Sequence, residues 1–109
     1  LHGGLRGDHD VFLFDPVHCY GLSEYLRIID VGKATDFPGA RFNPRGHLFA
    51  LHVVAALGLG GSEANVHNFQ PFGGFSDDAV IEDGHIRPPD APGIGLETRA
   101  ELKIFFSRR

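Results

Sequence analysis

The sequence predicts an α/β fold built on a parallel sheet, and three segments carry that prediction. The apolar run Val11–Phe14 is closed by Asp15 and Pro16, the pattern of a strand buried on both faces. Apolar residues recur at helical spacing over 25–29, which predicts a first helix. A second, more apolar helix is predicted over 47–57. Strands that alternate with helices favour a parallel sheet, because each helix returns the chain to the start of the next strand.

The first helix is predicted to begin near Gly21, with Ser23 as its cap, and to end at Gly32. A short second strand is predicted over 40–42, followed by a turn over 43–46 that contains a proline and a glycine. The second helix ends at a glycine cluster that begins with Gly58. A third strand is predicted from Glu63, within a stretch that holds the aromatic residues Phe69, Phe72 and Phe75.

The last third of the chain opens with the sequence's clearest hairpin signal. Asp83 and Gly84 stand between apolar pairs, which predicts a tight two-residue turn. Three prolines and two glycines then predict an irregular segment over 88–95. Thr98 and Glu101 match a capping box, which predicts a short terminal helix.

Composition excludes several classes of protein. The 109 residues suit one small domain, and 10 basic against 14 acidic residues give a net charge of −4, without the basic stripe that nucleic acid requires. One cysteine cannot form an internal disulfide, so a cytoplasmic location is expected. The longest apolar stretch, Leu48 to Leu59, is shorter than the roughly 20 residues of a membrane span. Because the chain begins with Leu and lacks a leader pattern, we expect a fragment.

Three residues are candidates for acid–base chemistry, and each also has a purely structural interpretation. Asp15 follows a buried strand, where α/β folds place reacting groups, but Asp-Pro also simply ends strands. His47 stands at a predicted helix start, where it would act as an acid or base or merely cap the helix. Glu63 follows the glycine cluster and is either at a strand end or in a solvated loop. Together the three suit the movement of a proton beside an anionic oxygen.

Other motifs are assigned no chemistry. The seven histidines show no metal-binding spacing, because His47 and His52 are five residues apart and miss a shared helical face. The glycine cluster after residue 57 ends a helix and lacks the Lys-Ser or Lys-Thr of a phosphate loop. Cys19 has no base nearby in sequence and is interpreted as an inert thiol.

Several motifs resemble one family. The run Pro92–Glu97, with Glu82–Asp90 before it, resembles the C-terminal signature of the enolase superfamily's mandelate racemase/muconate lactonizing group. Upstream, Phe14-Asp15-Pro16, Tyr20–Arg27 and Leu57–Glu63 look like the acid-sugar dehydratases of the D-tartrate dehydratase type. The resemblance covers nearly the whole chain. It implies the C-terminal portion of a (β/α) TIM-type barrel, an incomplete barrel, with residues 1–78 as its last βα units and 79–109 as a C-terminal hairpin and capping segment.

The resemblance also implies a chemistry. Family members bind Mg²⁺ through carboxylates on barrel strands that lie outside this chain, abstract the proton alpha to a substrate carboxylate and eliminate water. By this resemblance, Asp15 matches the family's aspartate that orients a histidine. Glu63 matches the family's carboxylate near the anionic end of the substrate. The expected ligand is a small hydroxy acid, bound by a homo-oligomer of the full-length protein.

The identity of the catalytic histidine is left open by a departure from the family pattern. The dehydratases carry Pro-His-Gly-Gly-His where this chain has Asn43-Pro44-Arg45-Gly46-His47, so that His47 matches the second histidine. Mandelate racemase has its histidine directly before Leu-Phe, as in His47-Leu48-Phe49. Two further hypotheses therefore stand beside the dehydratase: a catalytically inactive, truncated remnant of the family, and a free-standing small α/β binding module.

Overall fold

The computed structural model describes residues 4–64 and 74–107, and the described residues form helices and short strands. In chain order the elements are β1 (Phe12–Leu13), α1 (Leu22–Ala34), a 3-10 turn (Gly39–Arg41), β2 (Phe42–Asn43), α2 (Leu48–Leu57), β3 (Ile81–Glu82), β4 (His85–Ile86), a second 3-10 turn (Leu96–Thr98) and α3 (Ala100–Phe106). The mixture agrees with the predicted α/β class. The incomplete barrel and the division at residue 78 stay predictions.

The strands β1 and β2 form a parallel pair, as the α/β class predicts, with Phe12 opposite Phe42 and Leu13 opposite Asn43. The prediction of burial on both faces is wrong for β1, because Val11 and Leu13 are 54% and 48% exposed. The second strand lies over 42–43 and not over 40–42, since residues 39–41 form a 3-10 turn. Helix α1 connects the two strands and packs closely against β2. A Cβ atom on Gly32 would lie 2.4 Å from the Cζ atom of Phe42, so the absence of a side chain lets the ring reach the helix backbone. The glycine therefore serves packing inside α1, and the predicted helix end at Gly32 is wrong: the helix continues to Ala34.

The start of α1 also differs from the prediction. Gly21 is the N-cap residue, and its φ of 103° is a conformation that glycine adopts without strain. Ser23 lies inside the first turn and does not cap the helix. The Tyr25 N–H donates to the Gly21 carbonyl over 3.1 Å, which closes the first turn.

Aromatic rings fill the core beneath the parallel pair. Phe42 is 1% exposed and Tyr25 is fully buried. The ring centroids of Phe12 and Phe37 lie 5.6 and 5.4 Å from that of Phe42. Because a fully buried large apolar side chain contributes about 1.5–3 kcal/mol, this cluster stabilises the packing of β1 and β2.

Helix α2 is predicted to be buried, and this holds for its first half, where Leu48 is 2% and Ala50 0% exposed. Ala55 and Ala56, near its end, are exposed. His47 is its N-cap, and Gly58 ends it in the left-handed conformation, with φ of 60°. Residues 61–64 form no strand, so the strand predicted from Glu63 is not present there. The rest of that prediction, with Phe69 and Phe72, falls outside the described residues.

The C-terminal segment joins α2 through hydrogen bonds. The Leu48 N–H donates to the Gly74 carbonyl over 2.7 Å, and His52 Nε2 lies 3.0 Å from the Ile94 carbonyl oxygen. The predicted hairpin is confirmed, because β3 and β4 pair antiparallel around Asp83 and Gly84, whose φ values of 48° and 74° are those of a type I′ turn.

The start of α3 corrects the predicted capping box. The N-cap residue is Arg99, one position later than the prediction, and it makes no side-chain cap hydrogen bond. A distant residue serves instead: Asp77 Oδ2 accepts from the Ala100 N–H over 2.8 Å. Arg99 itself is 1% exposed, and its guanidinium Nε lies 3.9 Å from Asp77 Oδ1.

Candidate active site

The carboxyl ends of the two parallel strands meet at one edge, and this edge carries the candidate residues. Asp15 follows β1 by two residues, and His47 follows β2 by four. The segment after α2 runs beside β2, since the Gly60 N–H donates to the Phe42 carbonyl over 3.0 Å, and it leads to Glu63. In α/β folds the loops at the carboxyl ends of parallel strands form the ligand site.

Asp15 is buried, with 8% exposure, and its carboxylate is held by the backbone. Oδ1 accepts from the Val17 N–H over 2.8 Å, and the Asp15 carbonyl accepts from the His18 N–H over 3.0 Å. Asp15 and Pro16 therefore do form a turn at the end of the strand. That turn also fixes the direction of the carboxylate, so the structural and the chemical interpretation both apply.

His47 lies in contact with Asp15, with Nε2 3.0 Å from Asp15 Oδ1 and side chains that are 11% and 9% exposed. The other ring nitrogen, Nδ1, accepts from the Ala50 N–H over 3.1 Å and so caps α2. Because Nδ1 accepts, the proton of a neutral ring is assigned to Nε2, which donates to the carboxylate. The pair thus has the geometry of an aspartate that fixes the orientation and tautomer of a histidine.

The turn before His47 is held in a strained conformation. Arg45 has φ of 73°, which is uncommon for a residue with a side chain and costs of order 1 kcal/mol or more. Two hydrogen bonds stabilise it: the Arg45 N–H donates to Asn43 Oδ1 over 2.9 Å, and Ser62 Oγ donates to the Arg45 carbonyl over 2.5 Å. The turn therefore connects β2 to the segment that carries Glu63.

Glu63 lies against this turn and not against the buried pair. A Cβ atom on Gly46 would lie 2.4 Å from the Glu63 carbonyl oxygen, so the two backbones touch. Glu63 Oε1 is 3.8 Å from Arg45 Nη1, and both side chains are about half exposed at 48%. The structure thus brings Asp15 and His47 into direct contact and places Glu63 next to the residues that precede His47.

Two further side chains border Asp15 from α1 and the preceding loop. Burial raises the pKa of the Cys19 thiol, and the carboxylates of Asp15 and Glu24 raise it further, which keeps the thiol protonated and unreactive. Burial also raises the pKa of Tyr25 to about 12, with Cys19 and Asp15 adding to the effect. The hydroxyl of Tyr25 has no hydrogen-bond partner among the described residues.

Sequence reasoning gave Arg45 no role, although it places a positive charge 3.8 Å from Glu63. Its position in an Asn-Pro-Arg-Gly turn directly before the candidate histidine was the available signal. The approach of Glu63 comes from a segment 18 residues further on, which no local pattern indicates.

The residues at this edge do not by themselves fit a metal ion. In the ranges 4–64 and 74–107 no group of three His, Cys, Asp or Glu side chains converges as a metal site requires. His52, the histidine nearest to His47 in sequence, is bound to a backbone carbonyl. A depression of about 590 Å³ lies elsewhere, between the hairpin and the segment 87–90, and none of the candidate residues lines it.

Residues 5–102 match a family model described as enolase C-terminal domain-like. The match spans most of the 109 residues, and the chain belongs to this enolase C-terminal domain-like family. Membership indicates a Mg²⁺-dependent enzyme of the lyase or racemase type. Enzymes of this superfamily act on small molecules and often form oligomers. No helix in the described part of the chain is both long and apolar enough to cross a bilayer.

Proposed function

We propose that this chain is the C-terminal part of a Mg²⁺-dependent acid-sugar dehydratase, of the kind that removes water from tartrates and aldarates. The observation that supports it is the buried contact between Asp15 and His47 at the carboxyl edge of two parallel strands. Family membership supplies the reaction class, and the motifs that resemble D-tartrate dehydratase supply the substrate class. In this proposal residues 1–78 end an incomplete barrel, and 79–109 form the capping segment.

The geometry limits how His47 would transfer a proton. Both ring nitrogens are engaged, Nε2 with Asp15 and Nδ1 with the Ala50 N–H. To take the proton alpha to a substrate carboxylate, Nδ1 has to leave the Ala50 N–H. The resulting imidazolium keeps its Nε2–H on the Asp15 carboxylate, which stabilises the positive charge.

The same proton then completes the elimination. Nδ1–H gives it to the departing hydroxide as the bond between the β-carbon and its oxygen breaks, so one proton moves from carbon to oxygen and water leaves. His47 returns to neutrality, and Nδ1 again accepts from Ala50. By the family resemblance, the Mg²⁺ ligands are proposed to lie on barrel strands outside this chain.

Purified full-length protein, supplied with Mg²⁺ and a panel of tartrates and aldarates, tests this function. We expect loss of water from one or more of them and exchange of the alpha proton in D₂O. Absence of both reactions with every acid would contradict the proposal. We also propose a cytoplasmic location. The full-length protein is proposed to be a homo-oligomer, and sedimentation of the purified protein checks its oligomeric state.

A catalytically inactive remnant of the family is the second candidate, and Arg45 favours it. This residue stands in the stretch where the dehydratases carry their first histidine. The two candidates differ in what lies upstream. In-frame strands with metal-binding carboxylates, and activity recovered when the upstream portion is mixed with this chain, would support the dehydratase.

A further inference from the structure

Arg45 places a permanent cation at the carboxyl edge of the strands, and its guanidinium has donors to spare. Nη1 lies 3.8 Å from Glu63 Oε1, a distance longer than a charged hydrogen bond. In the described part of the chain only the backbone of Arg45 is hydrogen-bonded, through Asn43 and Ser62. The side chain is about half exposed at 48%, so its donors are accessible to a ligand.

The backbone of the turn does not require an arginine at this position. With φ of 73°, the backbone has the left-handed conformation that glycine adopts without strain. The hydrogen bonds that hold the turn use backbone atoms of residue 45, and glycine would keep both. An uncommon, strained residue beside a buried acid–base pair suggests that its side chain acts on something outside the fold.

Charge identifies the kind of ligand. Asp15 and Glu63 place two carboxylates at the same edge, and these alone would repel an acidic substrate. Arg45 lies 3.8 Å from Glu63 and precedes His47 by two residues, so its charge offsets the carboxylate of Glu63 at this edge. The planar guanidinium presents two parallel N–H donors, which match the two oxygens of a carboxylate.

We propose that Arg45 binds a carboxylate of a hydroxy acid or dicarboxylate at the strand edge that also carries the Asp15–His47 pair, with Glu63 orienting the guanidinium. Carboxylate binding is inferred from the half-exposed guanidinium and its long contact with Glu63, whereas the identification of that carboxylate as the substrate's rests on the proposed function. Arg45 is thus a binding residue that selects acidic substrates, and it takes no proton.

The test measures binding separately from catalysis. Metal-free full-length protein is titrated calorimetrically with succinate, a dicarboxylate without a hydroxyl group to eliminate. Arg45→Gln and Arg45→Gly are expected to raise the Kd for succinate about tenfold or more, the loss that follows removal of a charged hydrogen bond. Arg45→Lys is expected to restore part of the binding. Arg27→Gln, the same charge change on an exposed α1 residue paired with Glu24, is expected to change nothing.

Activity with tartrate adds a second readout, in which the Arg45 variants raise KM more than they lower kcat. Equal succinate affinity in wild type and Arg45→Gln, or no binding by wild type, would overturn the carboxylate site. Arg45-dependent binding in a protein that exchanges no alpha proton would contradict the dehydratase and leave this site standing. Circular dichroism melting checks that Arg45→Gly, which relieves the backbone strain, is folded.

Discussion

His47 combines a structural and a chemical property in one ring. Its Nδ1 caps α2 through the Ala50 N–H, and its Nε2 faces the buried carboxylate of Asp15. Loss of the ring therefore removes a helix cap and also leaves a buried carboxylate with one partner fewer. The two effects are separable by choice of substitution, because asparagine is a good N-cap and alanine is not.

For His47 we expect alanine and asparagine to differ in stability and to agree in activity. His47→Ala should lower the free energy of unfolding by about 1–2 kcal/mol or more, through the lost cap and the weakened Asp15 contact. His47→Asn should lower the free energy of unfolding by less, because asparagine still caps the helix. Both should reduce alpha-proton exchange by about 10²-fold or more. Urea unfolding and exchange in D₂O check this, and full activity in His47→Asn would exclude a proton-transfer role.

Asp15 is expected to matter more for activity than for folding. In Asp15→Asn the side-chain oxygen still accepts from the Val17 N–H, so the turn is kept. The amide cannot stabilise a positively charged His47, and exchange should fall by about 10²-fold or more. The measurement is the exchange rate at constant Mg²⁺ and tartrate, with thermal melting as the control for folding. A rate within twofold of wild type would show that the charge of Asp15 is not used.

Tyr25 predicts a pH effect on stability, because burial raises its pKa to about 12. In the unfolded chain the phenol ionises near pH 10, so between about pH 10 and 12 the unfolded state binds fewer protons than the folded state. The free energy of unfolding contributed by this group therefore falls as the pH rises through that window. In Tyr25→Phe the free energy of unfolding should fall less between pH 10 and pH 12 than it does in the wild type.

At pH 7 the same variant is expected to be as stable as wild type or slightly more stable, because the Tyr25 hydroxyl has no partner among the described residues. Urea unfolding at pH 7 and pH 11 measures both effects. A loss of several kcal/mol at pH 7 would show that the hydroxyl makes a stabilising hydrogen bond after all.

Among the elements, those with local patterns were predicted well. The Asp83–Gly84 hairpin and the His47 and Gly58 ends of α2 follow from short-range rules about turns and caps. The start of α3 was not predicted, because Asp77 binds its first N–H from 23 residues away. The sequence indicated Asp15 and His47 as candidates through local patterns. It did not indicate the contact of Glu63 with Arg45, because these two residues are 18 positions apart in the chain.

Gly46 provides a test of the contact between the β2–α2 turn and the segment that carries Glu63. In Gly46→Ala the new Cβ atom would lie 2.4 Å from the Glu63 carbonyl oxygen, so one backbone has to move. We expect a loss of about 1–3 kcal/mol in stability and weaker succinate binding. Gly39→Ala is the matched control, since no atom lies closer than 3.8 Å to its Cβ. Equal stability of the two variants would contradict the close approach.

At the scale of the whole molecule the chain leaves apolar surface uncovered. Its radius of gyration is 15.4 Å, above the roughly 13 Å typical of a domain of this length. Val11, Leu13 and Val17, in and around β1, are 54%, 48% and 64% exposed. In the described residues the parallel sheet has two strands, and the outer edge of β1 is without a strand partner. The outer edge of β2 is met by the Gly60 N–H, which donates to the Phe42 carbonyl.

The chain of 109 residues, purified alone, is therefore expected to associate with itself. Exposed apolar residues beside an open strand edge favour pairing with other copies. Thermal melting should depend on protein concentration, and light scattering should detect species larger than a monomer. A cooperative transition that is the same at low and high concentration would instead support a free-standing small α/β binding module.

The β3–β4 hairpin has a practical use that follows from its surroundings. Ile81, Glu82 and His85 are exposed, and the hairpin closes through its own type I′ turn. Its backbone makes no hydrogen bond to Asp15, Arg45, His47 or Glu63 in the described residues. A cysteine introduced at Glu82 would thus carry a fluorescent dye or spin label without disturbing the Asp15–His47 pair.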